Sequence, residues 1–224
     1  GNPSLFPKPG WAQSDFVPIA MAAVATNVIA VHPSIPANTL GELIAYLKAN
    51  PDKVSYASQG SGSLAHVGTE IFKAQTATSI VHVPYRGSGP AIQDMLSGQV
   101  QLFITTPPSV MQHIQAGKLK GIAVTGKSRH PGLPQVPTTA EAGLPGFELE
   151  GWVAIFAPAA TPVDVVNRLA AAVKASVETP DVISKAKAAG LEIRFLPPAA
   201  LQDLVRAETA GWANTIKSAN ITVQ

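Results

Sequence analysis

The sequence predicts an α/β protein in which one intact strand-and-helix unit is inserted between two flanking segments. Two observations carry that prediction. Between residues 54 and 116 a short β-favouring run gives way three times, through a small polar turn, to apolar residues at helical spacing. The segments on either side hold too few strands to build a sheet separately, so they have to meet each other. At 224 residues with 46% hydrophobic content, the chain has enough apolar material for a sizeable core.

Taken in order, residues 1–15 carry Pro3, Pro7, Pro9, Gly1 and Gly10, which sustain neither a helix nor a central strand. Residues 16–31 are apolar but broken at Thr26-Asn27, as two extended segments meeting at a polar joint. That stretch contains Pro18, Thr26 and Asn27 and is too short to span a bilayer as a helix. After His32-Pro33-Ser34-Ile35-Pro36, Asn38 is expected to cap a helix whose inner face is Leu40, Leu43, Ile44 and Leu47. A strand at 54–57 then leads through Ser58-Gln59-Gly60-Ser61-Gly62-Ser63 into a helix from Leu64 to about Gln75, with Leu64, Val67, Ile71 and Phe72 inward.

The pattern repeats as a strand at 79–83, a turn at 84–90 and a helix to about Leu96. It repeats again as a strand at 100–104, a turn at Thr105-Thr106-Pro107-Pro108 and a helix from Ser109 to about Ala116. A fourth strand is expected at 119–124, and the Pro-, Gly- and Thr-rich residues 126–146 read as surface loop with one helical turn at 139–142. Beyond it come an extended segment at 148–157, helices opening at Thr161-Pro162 and Thr179-Pro180, a strand at 191–196, and a last helix after Pro197-Pro198. Strands alternating with helices in this way imply parallel sheets joined by right-handed crossovers, with all three polar turns at the carboxyl edge where ligands bind. The domain division expected is 28–147 as an inserted unit and 1–27 with 148–224 as the discontinuous other, crossing near Thr26-Asn27 and Glu150–Trp152.

Composition narrows the partner. Charged residues are 13%, the formal net charge is +2, and the 16 Lys and Arg are scattered, so no nucleic-acid footprint or anionic-membrane patch is visible and a small ligand is expected. The chain has no cysteine, which removes disulfides, thiolate metal sites and cysteine nucleophiles. No signal peptide is visible in the sequence as read, which leaves room for a mature product.

Candidate chemistry gathers at the serine–glycine turn. The first N–H groups of a helix have no intrahelical partners, and small residues before them let an anion approach, so an oxyanion site is expected there; a simple helix cap is the competing reading. Gly60-Ser61-Gly62-Ser63-Leu64-Ala65 also spells the G-x-G-x-x-A of a dinucleotide fold, and Arg86 suits a 2′-phosphate, which makes an NADP-binding oxidoreductase the rival. Against it, no acidic residue ends the following strand and no proton-transfer pair stands out. A phosphate loop lacks its Lys-Ser or Lys-Thr, and no G-x-S-x-G elbow supports serine catalysis. His32, His66, His82, His113 and His130 lack metal spacing and read as structural or solvated, His66 being the one in the first turn of the helix beside the proposed anion. Arg86 divides between solvated turn and carboxylate clamp, Tyr85 between cap and ligand wall, and Trp152 between packing and cleft wall. No cofactor, metal or catalytic residue is expected.

These residues carry a resemblance. The runs NVIAVHPSIPANTLGELIAYLKANPDKVSYASQGSGSLAHVGTEIF, IVHVPYRGSGPAIQDMLSGQVQLFI, AGKLKGIAVTGKSR and PQVPTTAEAGLPGFELEGWVAIFAPAATP follow one another as in the Bug family. These are the TctC-like periplasmic solute-binding proteins of tripartite tricarboxylate transporters, and the similarity spans essentially the whole chain. The resemblance implies a two-lobed, type II periplasmic-binding-protein fold whose parallel-sheet lobes are joined by two crossing strands. It also implies that the first βα segment of lobe 1, with a Pro-Gly-Gly turn supplying half the site, lies outside this chain. The function implied is capture of a small carboxylate or dicarboxylate in the periplasm, by a protein monomeric when intact, for membrane permease subunits; a sensor-kinase ectodomain is a second partner class. The family's carboxylate turn maps onto Ser58, Gly60, Ser61, Gly62 and Ser63, with Tyr85, Arg86, Gly87, Thr105 and Thr106 as neighbouring cleft turns. Asn27, His66 and Trp152 complete the ligand-facing candidates. Where many relatives carry Asp after the third strand, this chain has Ile104-Thr105-Thr106, which implies a ligand without an amino group.

Overall fold

The computed structural model describes residues 10–218. They divide into two compact units, one made of residues 26–150 and the other of residues 10–25 with 151–218. The chain runs as β1 (Phe16–Thr26) and, after the single residue Asn27, as β2 (Val28–Val31), so the apolar stretch 16–31 is extended. Among the described residues no helix is long and apolar enough to cross a membrane.

The unit of residues 26–150 continues with α1 (Leu40–Ala49), β3 (Ser55–Ser58), α2 (Leu64–Thr76), β4 (Val81–Pro84), α3 (Ser88–Leu96), β5 (Leu102–Thr105), α4 (Pro107–Gln115) and β6 (Lys120–Val124). Its sheet has the order β4-β3-β5-β2-β6. Strand β3 is parallel to β4 and β5, pairing Ser58 with Pro84 and Ala57 with Phe103. The expectation of an all-parallel sheet is corrected by β2, which is antiparallel to both β5 and β6. Val28 pairs with Thr105 on one side and Val124 on the other. The chain therefore enters this unit at the edge where β5 and β6 finish, and β2 has no choice but to run back from it.

Among the boundaries that differ from expectation, two have a capping reason. Helix α1 is capped by Thr39 rather than Asn38: Thr39 Oγ1 accepts the Glu42 N–H at 3.2 Å, while Glu42 Oε2 accepts the N–H groups of Thr39 at 3.3 Å and Asn38 at 2.7 Å. The Thr-x-x-Glu spacing is a capping box, and it outcompetes a lone asparagine. Helix α4 opens at Pro107, not Ser109, because a proline in the first turn has its φ preset and lacks only an N–H that would be unpaired anyway.

The core of this unit is built from strand residues alternating with helix faces. Val28, Ala57, Phe103, Ala91, Met95 and Val110 lie in one buried cluster. Tyr56, Phe72, Phe103 and Phe147 are the fully covered aromatics of this unit, each burial worth about 1.5–3 kcal/mol.

The other unit holds a three-stranded sheet in the order β7-β1-β8, with β7 at Glu150–Pro158 and β8 at Leu191–Leu196. Strand β1 is antiparallel to β8, pairing Met21 with Leu196 and Ala23 with Ile193. Helices α5 (Val163–Val177), α6 (Pro180–Ala188) and α7 (Pro198–Ser218) follow from the tail. Ile19 and Ala20 pack with Val166 and Ala170, and Met21 and Val24 with Leu201. The tail's two strands thus become a sheet only by taking β1 between them.

Candidate functional site

Because β3, β4 and β5 run parallel, Ser58, Pro84 and Thr105 end on one edge, and the turns after them share it. This brings together Ser58, Gly60, Ser61, Gly62, Ser63, Tyr85, Arg86, Gly87, Thr105 and Thr106. The edge is stitched by two hydrogen bonds: Gln59 Nε2 donates to Thr105 Oγ1 at 3.3 Å, and the Tyr85 N–H donates to Ser58 O at 3.0 Å.

The turn between β3 and α2 depends on glycine. Gly60 has φ 127° and Gly62 has φ 81°, values that side chains disfavour. Ser63 caps α2, its Oγ accepting the His66 N–H at 3.3 Å. Two of the three amides from Ser61 to Ser63 are taken inside the protein: the Gly62 N–H donates to His66 Nδ1 at 3.0 Å, and the Ser63 N–H to Gly60 O at 3.1 Å. Ser61, Leu64 and Ala65 keep N–H groups with no protein acceptor among the described residues, at the positive end of a 13-residue helix.

The side chains along this edge fall into two groups. Ser58 and Thr105 are fully buried, and their hydroxyls brace the turns. Tyr85 donates its hydroxyl to Asp94 at 2.8 Å; burial first, and Asp94 second, push its pKa up to about 12. Arg86, by contrast, is exposed and has no carboxylate partner among the described residues. Thr106 is half-buried, its hydroxyl 3.1 Å from that of Ser109.

Asn27, one residue before the Val28–Thr105 pair, adjoins this edge but turns its side chain inward. Asn27 is 4% exposed; its side-chain amide donates to Leu149 O at 2.9 Å and its N–H to Thr125 Oγ1 at 3.0 Å. Thr125, fully buried, donates its hydroxyl to Leu149 O at 2.6 Å. Asn27 therefore acts with Thr125 as a clasp on the backbone at 27 and 149, a part that sequence reading did not give it. Trp152 belongs to the other unit, where its indole N–H donates to Glu208 at 2.7 Å and its ring lines an apolar cavity of about 660 Å³ with Trp11, Phe16, Phe156 and Val205.

Beneath the turn lies a stack of rings that the sequence did not reveal. His66 stacks on His82 with centroids 4.1 Å apart, and His82 stacks on Tyr56 at 4.8 Å. His82 Nε2 lies 2.7 Å from Ser58 Oγ. Tyr56 donates to Glu70 at 2.6 Å, which also pairs with Lys73 at 2.8 Å. Burial, then Glu70, raises the Tyr56 pKa. Burial is the main cause that lowers both histidines, His82 to about 4 with His66 as the second cause. The only trace of this in the sequence is that His66, Glu70 and Lys73 recur at helical spacing.

The lowered histidines make stability depend on pH in one direction. The folded protein keeps them neutral while the unfolded chain takes up protons near 6.5, so their contribution is full above pH 6.5 and is lost as the pH falls below it, for His82 down to about 4. For partly exposed His82 this amounts to about 2 kcal/mol. Urea unfolding of the wild type and of His82→Gln across that window checks it: the variant should lose less stability on acidification.

The sheet also decides against the dinucleotide reading of Gly60–Ala65. Its parallel strands run β4-β3-β5, with the first of them between its two successors rather than at the end of a sequential row as such a half requires, and β4 is followed by Tyr85-Arg86 with no carboxylate for a ribose.

Comparison with known proteins adds three findings. The family model described as the tripartite tricarboxylate transporter family receptor, TctC, matches residues 1–221. A protein from the tcbD–tcbE intergenic region of Pseudomonas sp. (strain P51) is 38% identical over 209 residues, which is 93% of this chain and 62% of the relative. The chain thus spans less than two thirds of that relative's length. Two solved structures from Rhodopseudomonas palustris share the architecture. Rpa4515 with adipate has a TM-score of 0.88 at 34% identity, over 96% of this chain and 72% of the other. MatC with bound malate has a TM-score of 0.84 at 28% identity, over 96% and 74%.

Proposed function

The chain belongs to the TctC receptor family of periplasmic solute-binding proteins, and from that premise we propose that it captures a small dicarboxylate for the permease of a tripartite transporter. The observation that carries this reading is the start of α2: the N–H groups of Ser61, Leu64 and Ala65 have no protein acceptor among the described residues, in a turn kept open by Gly60 and Gly62. Uncharged donors at a helix N-terminus hold a carboxylate without a buried counter-charge, which suits a ligand that has to be released. Arg86, on the same sheet edge and without a carboxylate partner among the described residues, is our candidate for holding a second carboxylate.

Strand β5 ends in Thr105-Thr106 rather than in a carboxylate, so this edge offers no counter-charge to an ammonium there. The ligand is therefore an acid without an amino group. Adipate and malate, seen in the two neighbours, are the first probes.

Differential scanning fluorimetry and calorimetry on the full chain test this. A carboxylate present at about 100 times its Kd adds ~2.7 kcal/mol of stability, which raises Tm by roughly 5–10 °C in a chain of this size. Succinate, adipate or malate should give such a shift, and NADPH should give none. A shift with NADPH alone, or tighter binding of aspartate than of succinate, overturns the proposal.

A further inference from the structure

The two stacked histidines fasten both glycines of the turn. His66, 4% exposed, accepts the Gly62 N–H on Nδ1 at 3.0 Å. His82 reaches Ser58 Oγ at 2.7 Å, and that oxygen accepts the Gly60 N–H at 3.2 Å. A neutral imidazole that accepts on Nδ1 carries its proton on Nε2. An imidazolium donates from both nitrogens, so protonated His66 would set one N–H against another at Gly62 and the bond would be lost.

We propose that the His66–His82 stack is a positioning latch, which holds the glycine turn in its ligand-receiving form while His66 is neutral and releases it when His66 is protonated. The proposal rests on the carboxylate reading of that turn. Its surroundings set the direction. Glu70, one turn along α2, favours protonation of His66, whereas Lys73 on the same helix opposes it; His82 from β4 stacks on His66 and is itself held lower by it. From β3, Tyr56 presents a phenol that donates to Glu70, and β5 presents no titratable side chain. With rings 4.1 Å apart, the stack accepts one proton far more readily than two. Burial lowers His66 below the ordinary histidine value of 6.5, so release belongs to the acid side of that value.

The test uses the full chain, adipate and the substitution His66→Asn, whose amide oxygen takes the place of Nδ1 and does not titrate. Wild-type affinity by calorimetry should fall between pH about 7.5 and about 5.5 by at least about twofold more than that of the variant, a difference that cannot much exceed tenfold because His66 titrates below 6.5. His66→Asn, whatever its affinity at neutral pH, should lose less than about threefold of that affinity over the same range, any loss being that of the ligand's own protonation. Without ligand, the Gly62 amide resonance of the wild type should titrate with the same midpoint as the His66 ring; this measurement decides even where the variant fails to fold. The latch is overturned by a Gly62 amide that ignores the His66 titration, or by a variant whose affinity falls in parallel with the wild type. Absence of adipate and malate binding at every pH, with Gly62 still following His66, overturns the carboxylate reading and leaves the latch standing.

Discussion

Replacing Gly62 by valine is expected to weaken dicarboxylate binding by about a hundredfold or more while leaving a folded protein. Gly62 sits at φ 81°, where a β-branched residue is strained by about 1–3 kcal/mol. The turn escapes that strain by moving to negative φ, which swings the Gly62 N–H off His66 Nδ1 and re-aims the amides on either side of it, at Ser61 and Leu64. A hydrogen bond to a charged group contributes about 1.5–3 kcal/mol, so misdirecting two amides removes at least ~3 kcal/mol of binding, about a hundredfold in Kd. The folding cost stays near the strain itself, because the turn lies at the sheet edge rather than within the packed cluster of Phe103 and Met95. Calorimetry with adipate or malate, beside urea unfolding of the same variant, separates the two effects. An affinity within about threefold of wild type would show that these amides do not hold the ligand.

Thr125→Val is expected to cost about 2–3 kcal/mol of stability, or roughly 4–12 °C in Tm. Valine keeps the shape of the side chain and removes the hydroxyl that accepts the Asn27 N–H and donates to Leu149 O. Leu149 O keeps the Asn27 side-chain amide, but the Asn27 N–H is left buried with no acceptor, which is the expensive half of the change. Thr125→Ser separates hydrogen bonding from packing, since it retains the hydroxyl and should cost only about 0.8 kcal/mol for its lost methyl. Equal losses in the two variants would place the contribution in packing and not in the clasp.

Much of this was legible in the residues. The alternation of two-residue and helical periods at Val54, Leu64 and Phe72 announced the βα units, and Gly60 and Gly62 announced a turn needing unusual backbone. The Thr39-x-x-Glu42 capping box is equally legible in the residues and prevails over Asn38. Other features had no local trace. The His82–Ser58 bond joins residues 24 apart and the Asn27–Thr125 bond residues 98 apart. The hydroxyls of Ser58 and Thr105, attractive as ligand contacts in a polar turn, are enclosed once the strand ends stand side by side.

By itself the sequence determined the α/β class, the places where helices begin and the small residues of the receiving turn, because capping, φ preference and periodicity act within a few positions along the chain. Only the tertiary structure decided that β2 runs against its neighbours, that His66 takes one of the amides of the glycine turn, and that Thr125 clasps Asn27 to Leu149. Those outcomes depend on which distant strand edge or buried polar group comes to lie alongside, and a hydrogen bond forms with whatever partner the packing brings within reach.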